Sequence, residues 1–536
     1  MTFNTAPSGL SSRDSLGTET AAANAATADA PLPGINAYVS QEEEKKHDEA
    51  TVVDEEAASS KENVADNSSF ADEAWVKDER NPRNWAPNKK WTATAIVALY
   101  TFIPPLASSM MAPGLPAVAV KYGITNSSIL SLTLSIFLLS FALGPLIFAP
   151  LSEIYGRNLI LHSMNVFSIA FSIGCAFSPD TASFIGFRFL LGLSGSAPVA
   201  IGAGTISDLF APHNRASAMA VYSLGPLLGP SIGPIAGGFI AQYSDVKYVF
   251  VTIAALCGVA SVVGIAFLRE TFAPVIQYQI ATKEGDTDRM KHLRAVQTAG
   301  STSALGYLGV NVMRPFVYLS RSLICFMLSL YMAVIYGVYY LMFATFPRFF
   351  AETYGFKPGP GGLVYLGLGI GLIISVVFGG KMSDVLYQSQ TKKNGGVGKP
   401  EFRMPAVVPG AIAVPIGLFW YGWSAEAKLH WMMPIVGTGI FGFGFMATFL
   451  PLQLYLVDSF KYGASVSASA SVFRSLLGFV FPLFGQQMFD AMGVGGGNSL
   501  LAGVSIALGI PFPLWLYYKG ESLRRGNPLT AESIKN

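Results

Sequence analysis

Charged residues are scarce in this chain. Asp, Glu, Lys and Arg together make up 13% of its 536 residues, against about 25% in a typical soluble domain. The formal net charge is only +2, so we expect no nucleic-acid partner. Hydrophobic residues reach 51%, and this balance indicates an integral membrane protein.

Cysteine, histidine and phosphate-binding motifs are also sparse. The three cysteines, Cys175, Cys257 and Cys325, all fall inside apolar segments, where small core residues are expected rather than disulfides. The five histidines show no metal-ligand spacing, so no metal site is expected. A Walker-type phosphate loop is missing. The sequence therefore predicts neither an enzyme nor an ATP-driven pump, and it requires no cofactor.

Residues 1–88 are polar and rich in Ala, Ser, Thr, Asp and Glu. A stretch of this composition cannot bury enough apolar surface to fold alone, so we predict a disordered tail. The first 90 residues also lack the basic start and short apolar core of a signal peptide.

Apolar runs of about 20 residues, the length that crosses a bilayer, recur through the rest of the chain. We place twelve of them, called spans 1–12, at residues 92–112, 129–149, 159–178, 183–206, 216–241, 248–268, 318–346, 361–383, 405–424, 431–457, 465–489 and 498–518. The predicted division is a cytosolic tail (1–88), an N-terminal bundle (89–268), a cytosolic central loop (269–316), a C-terminal bundle (317–519) and a cytosolic tail (520–536).

A short internal repeat indicates that the two halves are related. Span 2 is followed by Ala149-Pro150-Leu151-Ser152-Glu153-Ile154-Tyr155-Gly156-Arg157, and span 8 by Gly380-Lys381-Met382-Ser383-Asp384-Val385. A small residue, an apolar residue, Ser and an acid recur in order. The expected fold is thus an all-α integral membrane protein with twelve transmembrane helices in two pseudo-symmetric six-helix bundles.

Lys and Arg predict the orientation. Most of them lie in the two tails, the central loop and the connections on the same side, whereas the opposite side holds Lys121, Lys247, Arg348, Lys357 and Lys428. The positive-inside rule therefore places both termini in the cytosol. Asn126 starts the triplet Asn126-Ser127-Ser128 in the first outer connection, where it could be glycosylated.

Span 5 contains an unusual glycine–proline run, residues 225–238. Glycines every fourth residue make a side-chain-free stripe that allows another helix to approach closely. The prolines each remove a backbone donor, so such a helix needs tight packing within the bilayer. The motif residues are Gly229, Gly233, Pro234, Gly237 and Gly238.

Several charged residues in or beside the spans are candidates for gating or coupling. The set, with one turn glycine, is Glu153, Gly156, Arg157, Arg188, Asp208, Asp384, Asp458 and Arg474. A carboxylate beside a glycine turn could cap a neighbouring helix or pair with a cation; a plain solvated loop is the alternative. Arg188 could face a cavity or snorkel to the headgroups. Arg474 lies deeper, and its nearest candidate partner in sequence is Asp458.

Aromatic residues repeat at helical spacing in span 7. Tyr336, Tyr339, Tyr340 and Phe343 share one face and could line a cavity for a flat organic molecule, as could Gln453 of span 10; ordinary packing is the alternative. The central spans place no Asp, Glu or His near their middle. Because a multiply charged cation would need such groups, we expect a neutral, amphipathic or anionic substrate.

These features together resemble the major facilitator superfamily. The stretch Leu151–Arg157 is similar to its span 2–3 motif, with Glu153 and Ile154 replacing the usual Asp and Arg, and Arg188 matches its span 4 arginine. The span 5 run resembles the antiporter motif, and Ser471-Val472-Phe473-Arg474 resembles the fungal twelve-span drug:proton antiporters. The resemblance implies a monomeric secondary transporter of the plasma membrane that exports a drug, toxin, metabolite or organic acid in exchange for protons.

Two other functions remain open from the sequence. An uptake carrier for a nutrient or organic acid would have the same fold. A transport-inactive sensor or scaffold would use the long acidic tail to bind partners.

Overall fold

The computed structural model describes residues 75–211, 214–297, 304–460 and 463–530. The predictions made for residues 1–74 and 531–536 fall outside this part of the chain. Every long element in the described part is a helix. Its β structure is limited to one isolated antiparallel bridge between Phe460 and Thr530.

The six predicted N-terminal spans each coincide with a helix. Their bounds are Pro87–Met110 with the continuation Leu115–Tyr122, Ser127–Tyr155, Arg157–Ala176, Thr181–Leu209, Ala216–Tyr243 and Lys247–Phe267. Successive helices run in opposite directions, so the bundle has two ends. We name them the Asn126 end and the Arg157 end; the positive-inside rule predicts that the Arg157 end faces the cytosol.

The C-terminal spans begin with four separate apolar segments. Spans 7–10 are Leu323–Tyr354, Pro358–Lys393, Pro400–Glu426 and Met432–Ser459. Span 8 is not uniform, because a π-helical turn at Ser375–Gly379 interrupts it. Span 9 begins with the 3₁₀ turn Pro400–Ala406 before its α-helix, Val407–Glu426.

Spans 11 and 12 form one apolar stretch, Ser465–Arg525, so length and composition alone distinguish 11 segments among the described residues. The helix that begins at Gly463 is interrupted at Gly493, where φ is 74° and ψ is 166°. A residue with a side chain rarely adopts this φ, so glycine permits the turn. Glu426 at the end of span 9 contacts Gly495, whereas Glu401 at its start contacts Arg524. The chain therefore crosses again after Gly493, which confirms twelve passages.

The polar interruption between the bundles is helical rather than irregular. It contains Ala273–Glu284, Thr287–Gln297 and Ala304–Arg321. The last of these helices includes residue 318, where span 7 was predicted to start. Span 7 begins at Leu323 because Ser322 leaves the helical conformation and its side chain accepts a hydrogen bond from the Cys325 amide.

The C-terminal helix also continues further than predicted. Span 12 was expected to end at residue 518, but the helix Pro511–Arg525 extends past that point. Arg524, only 2% exposed, binds Glu401 and so fixes this last turn against the start of span 9.

The two bundles meet closely at the Asn126 end. The Ser128 hydroxyl of span 2 donates to the Leu483 carbonyl (3.0 Å) and hydrogen-bonds the Gln487 amide group (2.6 Å) in span 11. The Gly359 amide of span 8 donates to the Gln242 side chain of span 5 (3.0 Å). At the Arg157 end, the helix Ala304–Arg321 connects the two halves. Tyr307 of this helix donates to Glu153 of span 2, and its Pro315 carbonyl accepts from Ser469 of span 11.

Candidate functional site

The glycine stripe of span 5 packs directly on span 1, as its spacing predicts. A β-carbon at Gly229 would lie 2.8 Å from the Leu106 nitrogen, and one at Gly233 would lie 2.7 Å from the Leu106 carbonyl oxygen. At Gly237 a β-carbon would overlap the Met110 carbonyl. Pro234 and the other two prolines lie inside one continuous helix. Pro234 leaves the Pro230 carbonyl without its helical donor, and the Ser109 hydroxyl of span 1 donates to that carbonyl instead (3.3 Å).

Gly238 belongs to a different contact. A β-carbon there would overlap the Pro358 carbonyl of span 8. In the same way, a β-carbon at Gly362 of span 8 would overlap the Pro234 carbonyl of span 5. Neighbouring glycines therefore serve two interfaces, one inside the N-terminal bundle and one between the bundles at the Asn126 end.

Arg188 is completely buried, with 0% of its surface exposed. Its guanidinium donates to three backbone carbonyls, those of Thr133 (3.2 Å), Ala107 (3.2 Å) and Leu134 (3.3 Å). The ring of Phe137 lies 5.1 Å from its guanidinium carbon. The snorkelling interpretation is therefore wrong, because the side chain turns inward and spans 1 and 2 supply its acceptors.

Arg157 is the centre of a cluster of polar contacts at the Arg157 end of the N-terminal bundle. Its nitrogens lie 3.9 Å from Glu153 and 3.4 Å from Asp208, and one donates to the Ser152 hydroxyl (2.6 Å). The Phe272 ring packs against the guanidinium at 4.7 Å. The structure thus brings together three of the predicted gating residues from spans 2, 3 and 4.

The cap of span 3 is Glu270, which the sequence did not single out as a site residue. Gly156 has a φ of 102°, a conformation that glycine tolerates, and the chain turns there into span 3. The Glu270 carboxylate then accepts from the amides of Arg157 (3.0 Å) and Asn158 (3.1 Å). Glu153, a candidate for such a cap from its sequence position, instead accepts from the Tyr307 hydroxyl (2.7 Å).

Tyr307 connects this cluster to the central segment. It lies in the helix Ala304–Arg321 and outside the spans. Burial, and then the hydrogen bond to the Glu153 carboxylate, raise the pKa of Tyr307 above its usual value near 10. The hydroxyl therefore stays protonated and able to donate at neutral pH.

The C-terminal bundle arranges its charges differently. Asp458 pairs with Arg403 at 2.7 Å, and not with Arg474. Glu401 and Arg524 form a buried two-contact ion pair of 2.7 and 2.9 Å. Asp384, the repeat counterpart of Glu153, is exposed within the continuous helix Gly380–Lys393 and forms no ion pair with any described residue.

The span 7 aromatics form a packed cluster. Tyr339, Tyr340 and Phe343 are 4%, 4% and 1% exposed. Tyr339 stacks on Phe445 of span 10 at 5.2 Å between ring centres. In this conformation they pack against each other, as ordinary packing aromatics do.

One contact of this cluster reaches beyond the C-terminal bundle, because the Tyr340 hydroxyl hydrogen-bonds Ser108 of span 1 (3.0 Å). Tyr336 remains partly exposed, and its ring centre lies 5.4 Å from the Arg474 guanidinium carbon. Tyr336 is thus the member of the predicted wall that is not fully buried.

The remaining candidates lie apart from this region. The Gln453 amide donates to Ser467 of span 11 (2.9 Å), near the Arg157 end. The exposed Asn126 caps span 2, where its side-chain oxygen accepts from the Ser128 amide (2.8 Å).

Known transporters share this architecture and much of this sequence. The family model described as Major Facilitator Superfamily matches residues 97–482. The MFS-type transporter penM of Penicillium rubens is 42% identical over 450 residues, 83% of this chain and 88% of penM. The efflux pump radE of Floropilus chiversii is 41% identical over 452 residues, 83% of each chain.

A solved structure shares the fold. The xylose transporter XylE from E. coli, in a partially occluded inward-open conformation, aligns with a TM-score of 0.60 and 13% identity over 80% of this chain and 98% of that chain. The twelve-span architecture and these relatives define a membrane-spanning secondary transporter. The chain belongs to the Major Facilitator Superfamily.

Proposed function

We propose that this transporter exports an amphipathic, neutral or anionic organic molecule across the plasma membrane by alternating access. It acts as a monomer with cytosolic termini, and protons supply the driving force. The relative radE carries the name efflux pump, and penM that of a transporter. These names favour export over the uptake and scaffold alternatives.

The observation that carries alternating access is the closed Asn126 end. There the span 5 motif contacts span 8 through Gly238 and Pro358, and the side chain of Gln242 binds the Gly359 amide. An exporter loads its substrate in this state and an uptake carrier releases its substrate in it, so the direction of transport rests on the relative named as an efflux pump. The Arg157 cluster supplies titratable carboxylates, Glu153 and Asp208, for coupling to protons.

Export is tested in a yeast strain that lacks its own drug exporters. Cells that produce the full chain should accumulate less Nile red, a neutral amphipathic dye, than cells that produce Gly233→Leu, whose side chain cannot fit against Leu106. Both proteins should be present in the membrane fraction in equal amounts. Equal accumulation in the two strains of both Nile red and an anionic dye, 1-pyrenebutyrate, would contradict the proposal.

Proton coupling and the scaffold alternative need separate experiments. In proteoliposomes, an imposed proton gradient should drive dye against its own gradient, and a protonophore should abolish that transport. Removal of residues 1–80 should leave export unchanged in a transporter, whereas a scaffold that works through its tail would lose its effect.

A further inference from the structure

Arg474 lies deep inside span 11. The helix begins at Gly463, so Arg474 is about 16 Å from that end at 1.5 Å per residue. Its guanidinium carbon lies 5.4 Å from the ring centre of Tyr336 and 5.3 Å from that of Phe449. Cation–π contacts with these two rings hold the guanidinium in place.

No carboxylate neutralises this charge in the part of the chain that the structure describes. The Nε atom is buried without a hydrogen-bond partner, and the guanidinium forms no ion pair with any described residue. Every Asp and Glu in the described spans lies near a span end. An unpaired charge at this depth is costly, and a bound anion would compensate for that cost.

The guanidinium also lies at the boundary between the bundles. Tyr340, whose ring centre lies 5.0 Å from that of Tyr336, hydrogen-bonds Ser108 of span 1 in the opposite bundle. One turn further along span 11, a β-carbon at Gly478 would lie 3.1 Å from the Tyr336 ring and 3.2 Å from Leu138 of span 2. Carriers of this architecture bind their substrates at such a boundary near the midplane.

We propose that Arg474 binds the anionic group of the transported molecule, and that the substrate class is therefore an amphipathic aromatic acid, a carboxylate or an enolate. This assignment rests on the proposed export function. A planar guanidinium can donate two parallel N–H bonds to such a group, while the rings of Tyr336 and Phe449 flank the aromatic skeleton. Arg188 is unsuited to this part, because it is fully buried and three carbonyls accept three of its five N–H donors.

The test uses two probes with the same aromatic skeleton, the anion 1-pyrenebutyrate and its neutral methyl ester. Binding to the purified full chain is measured by calorimetric titration in nanodiscs, with empty nanodiscs subtracted. The wild type should bind the acid at least tenfold more tightly than the ester. Arg474→Gln should abolish that preference and change the ester Kd less than twofold, whereas Arg474→Lys should retain part of it.

A matched control removes an arginine far from the site. Arg525 is 69% exposed and pairs with Glu521, so Arg525→Gln should keep the full preference for the acid. The proposal is overturned if the wild type does not bind the acid, if it shows no preference, or if Arg474→Gln keeps the preference. Equal loss of acid and ester in Arg474→Gln also overturns it, because Arg474 would then act through structure.

The Nile red assay separates this result from the export function itself. If the wild type exports the neutral dye but Arg474→Gln still prefers the acid, the substrate assignment fails and export stands. If the wild type lowers the cellular accumulation of neither Nile red nor 1-pyrenebutyrate, export fails, whatever the titration gives.

Discussion

The two arginines inside the spans, Arg188 and Arg474, meet the same membrane cost in different ways. Arg188 is fully buried and donates to carbonyls of spans 1 and 2, all within its own bundle. Arg474 has two aromatic rings beside it and an Nε atom without an acceptor. The first arginine is part of the packing of its bundle. The second has a buried Nε atom for which the described residues supply no acceptor.

A similar contrast separates the two copies of the internal repeat. In the first copy the chain turns at Gly156, and Arg157 binds the acids of two other spans. In the second copy the helix continues through Asp384, which stays exposed. Related sequences thus give a charge cluster in one bundle and an exposed carboxylate in the other, so the pseudo-symmetry of the fold does not extend to these charges.

The largest expected effect comes from replacing each arginine by methionine. Arg188→Met removes three charge-assisted hydrogen bonds, and we expect it to lower the free energy of unfolding by on the order of 3 kcal/mol. Arg474→Met removes an unpaired charge and fills similar space, so its change should stay within about 1 kcal/mol. Thermal unfolding in detergent, followed by tryptophan fluorescence, measures both. Equal destabilisation of the two variants would contradict the view that Arg188 stabilises the fold and Arg474 does not.

The second prediction compares the neighbouring glycines of span 5. Gly237→Ala forces a methyl group into the Met110 carbonyl inside one bundle, which should cost about 2 kcal/mol of stability. Gly238→Ala makes the corresponding clash with Pro358 between the bundles. Because the bundles can separate there, this variant should instead shift the population toward opening at the Asn126 end.

The distance between spin labels on spans 5 and 8 at the Asn126 end distinguishes these outcomes. Gly238→Ala should populate a longer distance with little change in melting temperature, and Gly237→Ala should lower the melting temperature with the distance unchanged. The reverse pattern would show that the two glycines had been assigned to the wrong interfaces.

The third prediction concerns the helix caps. Glu270→Gln removes the charge that caps span 3 beside the Arg157 cluster, and the loss should be about 1 kcal/mol. The control variant is Glu426→Gln. Glu426 accepts from the Gly495 amide (3.1 Å) at the start of span 12, away from that cluster. Both variants should lose similar stability, but only Glu270→Gln should slow export. Equal export by the two would mean that the cluster takes no part in gating.

Features set by length, spacing and local pattern could be predicted from the sequence. Apolar runs indicated the twelve passages, and the four-residue spacing of glycines indicated the close contact of span 5. The repeat and Arg188 were also visible. The partners were not, because they come together only through tertiary packing: Glu270 is 113 residues from Arg157, and Arg403 is 55 residues from Asp458. Nothing local distinguishes an intramembrane arginine with three carbonyl acceptors, Arg188, from one whose Nε has no acceptor among the described residues, Arg474.

The smallest expected effect tests the link between the central segment and the Arg157 cluster. Tyr307→Phe removes one hydrogen bond to Glu153, so the loss of stability should be roughly 0.5–1 kcal/mol. The raised pKa of Tyr307 gives this contribution a definite pH dependence. It is fully present below the normal tyrosine pKa of about 10 and decreases as the pH rises further. Melting curves of the wild type and Tyr307→Phe should therefore differ at pH 7 and converge at strongly alkaline pH; a constant difference would show that the hydroxyl acts through packing rather than through its proton.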